Sequence, residues 1–171
     1  EYANESFSAF VQTSVSSQTM QRDGRMTGNG DGLGKSTKQT FDGYNLKGGV
    51  SYVVGENGRI FANAGFYSRQ PYFESVIDES KYSNAWINDG DVDNEEILGF
   101  EAGYRYETND IRFMLDLYST EWGNRYVAFG DTDPDDNYLY YRLYDVTQKH
   151  KGIEFQLDYK IDNTSNVSII G

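Results

Sequence analysis

The stretch NLKGGVSYVVGENGRIFANAGFYS, residues 45–68, decides the fold. In its first half Leu46, Gly48, Val50, Tyr52 and Val54 fall on one face of an extended chain and Asn45, Lys47, Gly49 and Ser51 on the other. That is the period of two that a strand imposes. GENG, Gly55 to Gly58, follows, built from residues that tolerate positive φ in a tight turn. The chain then returns with Ile60, Ala62, Ala64 and Phe66 opposed to Asn63 and Gly65. The pattern predicts a β-hairpin.

Working outward, the same alternation recurs. ILGFEAGYRY sets Leu98, Phe100, Ala102, Tyr104 and Tyr106 against Gly99, Glu101, Gly103 and Arg105. After the turn ETND, IRFMLDLYSTEW opposes Ile111, Phe113, Leu115 and Leu117 to Arg112, Asp116 and Thr120. HKGIEFQLDYK sets Ile153, Phe155, Leu157 and Tyr159 against His150, Gly152, Glu154, Gln156, Asp158 and Lys160, then turns through DNTSN into a last strand. Near the start, ESFSAFVQTSVS opposes Phe7, Ala9, Val11 and Val15 to Ser8, Gln12 and Ser14. These make about seven strands, each near the ~9 to 11 residues that cross a bilayer on a tilt.

The connections differ by end. Short turns at 55–58, 107–110 and 161–166 alternate with long polar segments at 22–40, 70–94 and 129–137. Short turns at one end and long loops at the other are the mark of an outer-membrane barrel, whose turns are periplasmic and whose loops are extracellular. The two faces agree with this, since one is almost free of charge and the other carries Lys47, Glu101, Arg105, Arg112, Asp116, Glu154, Asp158 and Lys160. A soluble all-β domain shares the alternation but has no reason for the asymmetry of its loops.

Composition narrows the function. Tyr (15), Phe (10) and Gly (18) are abundant, which suits twisted strands with aromatic surfaces better than a water-excluding globular core. The net charge of −12 argues against a nucleic-acid partner, which needs basic patches. There is no cysteine, so neither disulfides nor thiolate metal sites arise. No apolar run approaches the ~20 residues of a membrane helix. The chain is read as an internal fragment, since it starts without Met and stops within NVSIIG.

One corner stands out. YSRQPYF, Tyr67 to Phe73, holds one of the two prolines of the chain. Pro71 lacks the N–H that a central ladder uses, so the strand is expected to loosen between Arg69 and Pro71. After a loop comes NEEILGFEAGYRY. Together these resemble the barrel of a TonB-dependent outer-membrane receptor, in which an Arg-x-Pro corner leads through a loop to a Glu-containing start and then a strand with Glu-x-Gly. Arg69, Pro71, Glu95 or Glu96, Glu101 and Gly103 carry the resemblance. FDGYNLKGGVSYVVGENGRIFANAGFYSRQPYF and HKGIEFQLDYK are similar to the barrel of the subgroup common in Bacteroidota-type bacteria, whose receptors often begin with a carboxypeptidase-regulatory-like domain.

The resemblance implies an all-β, antiparallel, up-and-down transmembrane barrel of about 22 strands with a plugged lumen, of which residues 1–171 are part of one domain. The plug and the remaining strands lie outside this chain. It implies uptake of a scarce nutrient, such as an iron chelate, a cobalamin or an oligosaccharide, across the bacterial outer membrane with energy relayed by TonB. The expected partners are outer-membrane lipid, the nutrient, the receptor's own plug and, through missing segments, the TonB complex. No enzyme activity, cofactor or nucleic acid is expected. Two other architectures stay open: a complete eight-stranded barrel of structural or adhesive role, and a soluble carbohydrate-binding β-domain.

Other constellations have plainer readings. NDGDVDNEE (88–96) and DTDPDDN (131–137) have the close carboxylates of calcium loops but lack a glycine at the sixth position with a bidentate glutamate at the twelfth, and are read as solvated loop tips. Glu101, Asp116, Glu154 and Asp158 recur once per strand, as a lumen lining does, and are expected to pair with Arg105, Arg112 and Lys160 or with the plug. No catalytic or metal site is expected. YLYYRLY (138–144), Trp86, Trp122 and the YSRQPYF aromatics suit a membrane-interface girdle or a stacking surface for ligand. Of these Tyr72, Phe73, Trp86 and Tyr138 are the expected ligand contacts.

Overall fold

The computed structural model describes residues 1–24, 34–77, 85–86, 92–132, 134–135 and 138–171, with the backbone alone for Ala128 and residues 138–140. In chain order the elements are β1 (Tyr2–Ala3), β2 (Phe7–Met20), β3 (Asp23–Gly24), β4 (Gly34–Lys35), β5 (Gln39–Val54), β6 (Gly58–Arg69), the short helix α1 (Phe73–Val76), β7 (Glu95–Glu107), β8 (Ile111–Thr132), β9 (Tyr138–Lys160) and β10 (Asn166–Ile170). One antiparallel sheet holds eight strands in the order β1-β2-β5-β6-β7-β8-β9-β10, while β3 and β4 form a separate ribbon within the β2–β5 connection. The large sheet is therefore a meander in which each strand pairs with its predecessor.

The expected hairpin at residues 45–68 forms, with Val50 opposite Ala62 and Tyr52 opposite Ile60. Gly55, at the turn, takes φ of 68°, the left-handed conformation for which a glycine is suited. The tight connections 55–57, 108–110 and 161–165 lie at one end of the sheet, and the long connections, including α1, at the other.

Register aligns the apolar positions across the whole sheet. Ala9, Val50, Ala62, Ala102, Leu117 and Ile153 form one transverse row, and Phe7, Tyr52, Ile60, Tyr104, Leu115 and Phe155 the next. This face is open: Val50 is 48% exposed, Phe100 53% and Ile153 67%. In β5 it is the polar face, Asn45 to Val53, that is half-buried. The burial pattern is thus inverted relative to a soluble sheet, as expected where lipid is the solvent for one face.

The total surface supports the same conclusion. A folded soluble monomer of 19.5 kDa exposes roughly 8,500 Å², and this chain exposes 12010 Å². Among the described residues no second large sheet covers the apolar rows, so the soluble sandwich is not formed there. Nor is the closed eight-stranded barrel, because among the described residues no ladder joins β1 to β10.

Glycines on the polar face have a specific use. Phe10 is paired with Gly49, Phe61 with Gly103 and Tyr118 with Gly152. Each ring lies across its partner glycine: a Cβ on Gly49 would stand 2.7 Å from Phe10, one on Gly103 2.6 Å from Phe61, and one on Gly152 2.5 Å from Tyr118. Aromatic rings laid over cross-strand glycines shield the bare backbone and keep the rings flat on the sheet.

One expected loop is strand in its first part. Residues 129–132 continue β8 and β9 begins at Tyr138, so that these two strands run 22 and 23 residues. Two compensating bulges hid this from the pattern. Between Trp122 and Arg125 the extra residue is on β8, and between Arg125 and Val127 it is on β9. Asn124 (φ 52°) and Asp145 (φ 55°) sit at these two positions, the only non-glycine residues with positive φ among those described. Each bulge breaks the alternation, and together they restore the register.

Candidate functional site

The few buried apolar side chains of the described residues lie at the loop end, where Phe41, Val76, Trp86 and Tyr126 form one cluster with Met20, Phe73 and Val92 packed against it. The ring of Phe73 meets Trp86 edge-on, with centroids 5.6 Å apart, a geometry that adds about 0.5–1.5 kcal/mol beyond area burial. Trp86 Nε1 donates to the Thr37 carbonyl at 3.0 Å, and Ile77 forms an isolated bridge with Trp86. Arg142 Nη2 donates to the Ile77 carbonyl at 2.7 Å, tying the 70–94 connection to β9.

Beneath this cluster lies the YSRQPYF corner. β6 ends at Arg69, and Pro71 is fully buried, as its missing N–H allows. Arg69 and Glu95 are directly opposite across the β6–β7 ladder. Arg69 Nε donates to Glu95 Oε2 at 2.9 Å and Nη2 lies 2.7 Å from the same oxygen. Glu95 is 0% exposed. The partner of the corner arginine is thus Glu95 rather than Glu96, which is exposed.

Aromatic faces complete the arrangement. The Arg69 guanidinium lies 4.7 Å from the centroid of Trp122 and 5.0 Å from that of Tyr72. Arg125 lies 4.2 Å over Trp122 as well. In an uninterrupted strand residues 122 and 125 face opposite ways; the bulge at Asn124 turns Arg125 onto the face of Trp122, where it also donates to Gln148. Asn94 clamps the neighbouring strands, donating to the Asp42 carbonyl at 2.8 Å and to Ser68 Oγ at 2.9 Å.

Several buried polar atoms here have no hydrogen-bond partner among the described residues: Glu95 Oε1, Asn94 Oδ1, Trp122 Nε1 and Arg125 Nε. The corner therefore combines aromatic faces, two guanidinium groups and unused donors and acceptors. Chemically it suits the recognition of a polar, aromatic or hydroxyl-rich group and offers no nucleophile with an adjacent base.

The polar face below has its own charge pattern. Glu101 accepts from Asn63 Nδ2 at 3.2 Å, and Asp116 is directly opposite Glu154. The expected cross-strand neutralisation is only partly formed. Arg112 pairs with Glu107 at 2.9 Å, at the turn, whereas among the described residues neither Arg105 nor Lys160 makes an ion pair. Arg105 stands opposite Arg59 and Met114, and Lys160 opposite Asn166, so neither faces a carboxylate directly across the ladder. On the apolar side Lys149 and Glu121 pair at 2.8 Å, just beyond the Leu117–Ile153 row. In the short turn after β9, Asp162 Oδ1 accepts from the Thr164 N–H and hydroxyl, both at 2.8 Å, and these bonds hold its carboxyl below the ordinary value.

The four expected ligand contacts separate. Tyr72 is exposed, beside Arg69; Phe73 is half-buried against the cluster; Trp86 is 6% exposed within it. Tyr138 begins β9, and its side chain lies outside the described residues. Glu101 and Gly103 lie on the polar face of β7, one row apart. Sequence reasoning missed Trp122 as the centre of the corner, together with Arg125 and Gln148. The acidic stretch 88–96 lies largely outside the described residues, and 131–137 in part. Among the described residues no group of three or more potential ligands could hold a metal.

Comparison with known proteins agrees with this geometry. Residues 9–169 match the family model for the TonB dependent receptor-like β-barrel. No curated protein sequence matches the chain. Among solved structures, the ferric-catecholate import receptor Fiu of E. coli K12, in its closed form, matches 98% of this chain with a TM-score of 0.59 and 14% identity. The chain spans only 26% of the length of that receptor, and at this identity the likeness concerns the fold.

Proposed function

Since the chain belongs to the TonB-dependent receptor-like β-barrel family, we propose that it forms part of the wall of an outer-membrane receptor that takes up a scarce nutrient with energy relayed by TonB. The observation that carries this reading is the inverted sheet, with aligned apolar rows open to the surroundings and a polar face turned the other way. Lipid contacts the first face; the second lines a lumen filled by the receptor's own plug. The complete barrel has about 22 strands, and its cargo is an iron chelate, a cobalamin or an oligosaccharide. A carboxypeptidase-regulatory-like domain ahead of the plug is part of the same proposal.

In this reading the 70–94 connection is an extracellular wall of the vestibule. Its cluster around Trp86 holds it in place, and Tyr72, exposed beside Arg69 and Trp122, faces the entering ligand. Phe73 and Trp86 support that surface from behind, and Tyr138 belongs to the far tip of the β8–β9 hairpin. The chemistry is binding and passage; no covalent step is assigned.

The test uses the complete gene product. It should fractionate with outer membranes and migrate faster on gels before heating than after. Its deletion should abolish uptake of one nutrient under scarcity, to the same extent as loss of TonB. Recovery of the product as a soluble protein, or uptake that is indifferent to TonB, overturns the proposal.

A further inference from the structure

Near the turn end of the polar face two arginines stand directly opposite each other, Arg59 on β6 and Arg105 on β7. Like charges at such a position repel, and sheets ordinarily avoid them. Among the described residues neither makes an ion pair, although Glu56 and Glu107 line the adjoining hollow on the turn side. Among the described residues the ion pairs are Arg69 with Glu95, Arg112 with Glu107 and Lys149 with Glu121, so Glu107, the nearest acid on the same strand, is already engaged. In a chain of net charge −12, an unneutralised cationic pair is not a shortage of acids but a matter of placement.

Both side chains are oriented by their neighbours. Arg59 Nη1 donates to Ser51 Oγ at 2.7 Å, and Ser51 Oγ in turn shares a hydrogen bond of 2.8 Å with Ser8 Oγ. The Arg105 guanidinium lies 4.8 Å over the ring of Phe61, which Gly103 allows to lie flat. Between them opens a hollow of about 200 Å³ lined by Ser8, Ser51, Phe61 and Asn63 as well as the two arginines. Hydroxyl donors, an amide and two forked guanidinium groups around a small hollow match a carboxylate or another small oxyanion, because guanidinium binds planar oxygen pairs through parallel N–H donors.

We infer that Arg59 and Arg105 form a binding site for a carboxylate-type oxyanion at the turn end of the lumen. The inference rests on the receptor reading above, which encloses this face. Two sources share the chemistry: an acidic side chain of the lumen-filling segment, or an anionic group free to come and go. The Ser51–Ser8 bond fixes one arginine and the Phe61 ring the other, so the pair is poised before the anion arrives.

The experiment is arginine modification by phenylglyoxal on the complete receptor in outer membranes, read by mass spectrometry, with added N-acetylarginine as the unpaired reference. A built-in carboxylate makes Arg59 and Arg105 react at least about tenfold more slowly than N-acetylarginine without any added anion. A free anion produces that protection only when inorganic phosphate replaces chloride at equal ionic strength. To separate charge pairing from simple enclosure, the thermal midpoints of R59Q/R105Q and R59K/R105K are compared in the same buffers. A built-in carboxylate lowers the midpoint of the Gln variant and not of the Lys variant, since only the former leaves an unpaired charge. A free anion raises the wild-type and Lys-variant midpoints in phosphate and leaves the Gln variant unmoved. Reaction of both arginines at the rate of N-acetylarginine in both buffers, or equal midpoints for wild type and both variants in every buffer, overturns the inference. If that receptor still fractionates with outer membranes and takes up its nutrient, the receptor reading stands and the anion site alone fails.

Discussion

Replacing Arg69 by Met should loosen the 70–94 connection while leaving the sheet in place. Glu95 is fully buried and receives both of its close nitrogen contacts from Arg69, at 2.7 and 2.9 Å. Removing the partner of a buried charge costs about 3–5 kcal/mol, and partial exposure of the Arg69 side chain places the expected value at about 3. Met retains an apolar stem against Trp122 and Tyr72 but loses two cation–π contacts of about 0.5–1 kcal/mol each, which lie within that sum.

Hydrogen exchange is the assay suited to a local effect, because unfolding of a large barrel is not a two-state measurement. The amides of Ser75 and Ile77, bonded to the carbonyls of Tyr72 and Phe73 at 3.0 and 3.2 Å, report on the connection. Their protection in the complete receptor should fall about 100-fold in R69M. E95Q keeps an acceptor and loses the charge, so its effect should be near tenfold. R69M/E95L removes both members and should be milder than the sum of R69M and E95L, because no unpaired charge remains. A change under about threefold in R69M, or strict additivity in the double variant, would falsify the assignment of Arg69–Glu95 as the latch of this corner.

Gly103→Ala should destabilise the receptor by about 1–3 kcal/mol, since the new methyl group meets the Leu115 carbonyl at 2.5 Å and Phe61 at 2.6 Å, whereas Gly99→Ala, with nothing nearer than 4.0 Å, should change thermal stability little; equal effects would contradict the ring-over-glycine packing. Ala102→Arg, in the middle of an apolar row, should cost about 2–4 kcal/mol when folding into phospholipid vesicles is measured, and an unchanged folding yield would remove lipid from that face. The Thr164 amide resonance should titrate with a midpoint below 3.8, the ordinary aspartate value. The sign follows from the lowered Asp162 carboxyl: its contribution to the turn is complete above the usual aspartate range and is lost as pH falls through the lower folded value, so a midpoint at or above 3.8 contradicts it.

Much of the sheet was legible because a strand writes its two faces into alternate residues. Val50, Ala62 and Ala102 could be placed on one face without knowing what they touch, and the tight turns could be read from Gly55 and its neighbours. The β8–β9 hairpin beyond Trp122 was not legible to the same rule. Bulges at Asn124 and Asp145 shift the period by one residue on each strand, so the alternation that continues past them no longer joins the pattern that precedes them.

The corner divides along the same line. Pro71 ends a ladder by its own covalent structure, and the sequence alone was sufficient for that. The choice of Glu95 over Glu96, and the convergence of Trp122 and Arg125 on Arg69, depend on cross-strand register and on one inserted residue. Likewise the sequence determined that one face is apolar and the other charged. Only the tertiary structure decided that the apolar face lies open, that Trp86 is buried rather than displayed, and that Arg59 and Arg105 stand opposite each other with no ion pair among the described residues. The physical reason is range: alternation and φ preferences are set by adjacent residues, while pairing, burial and charge compensation are set by strands distant in the chain.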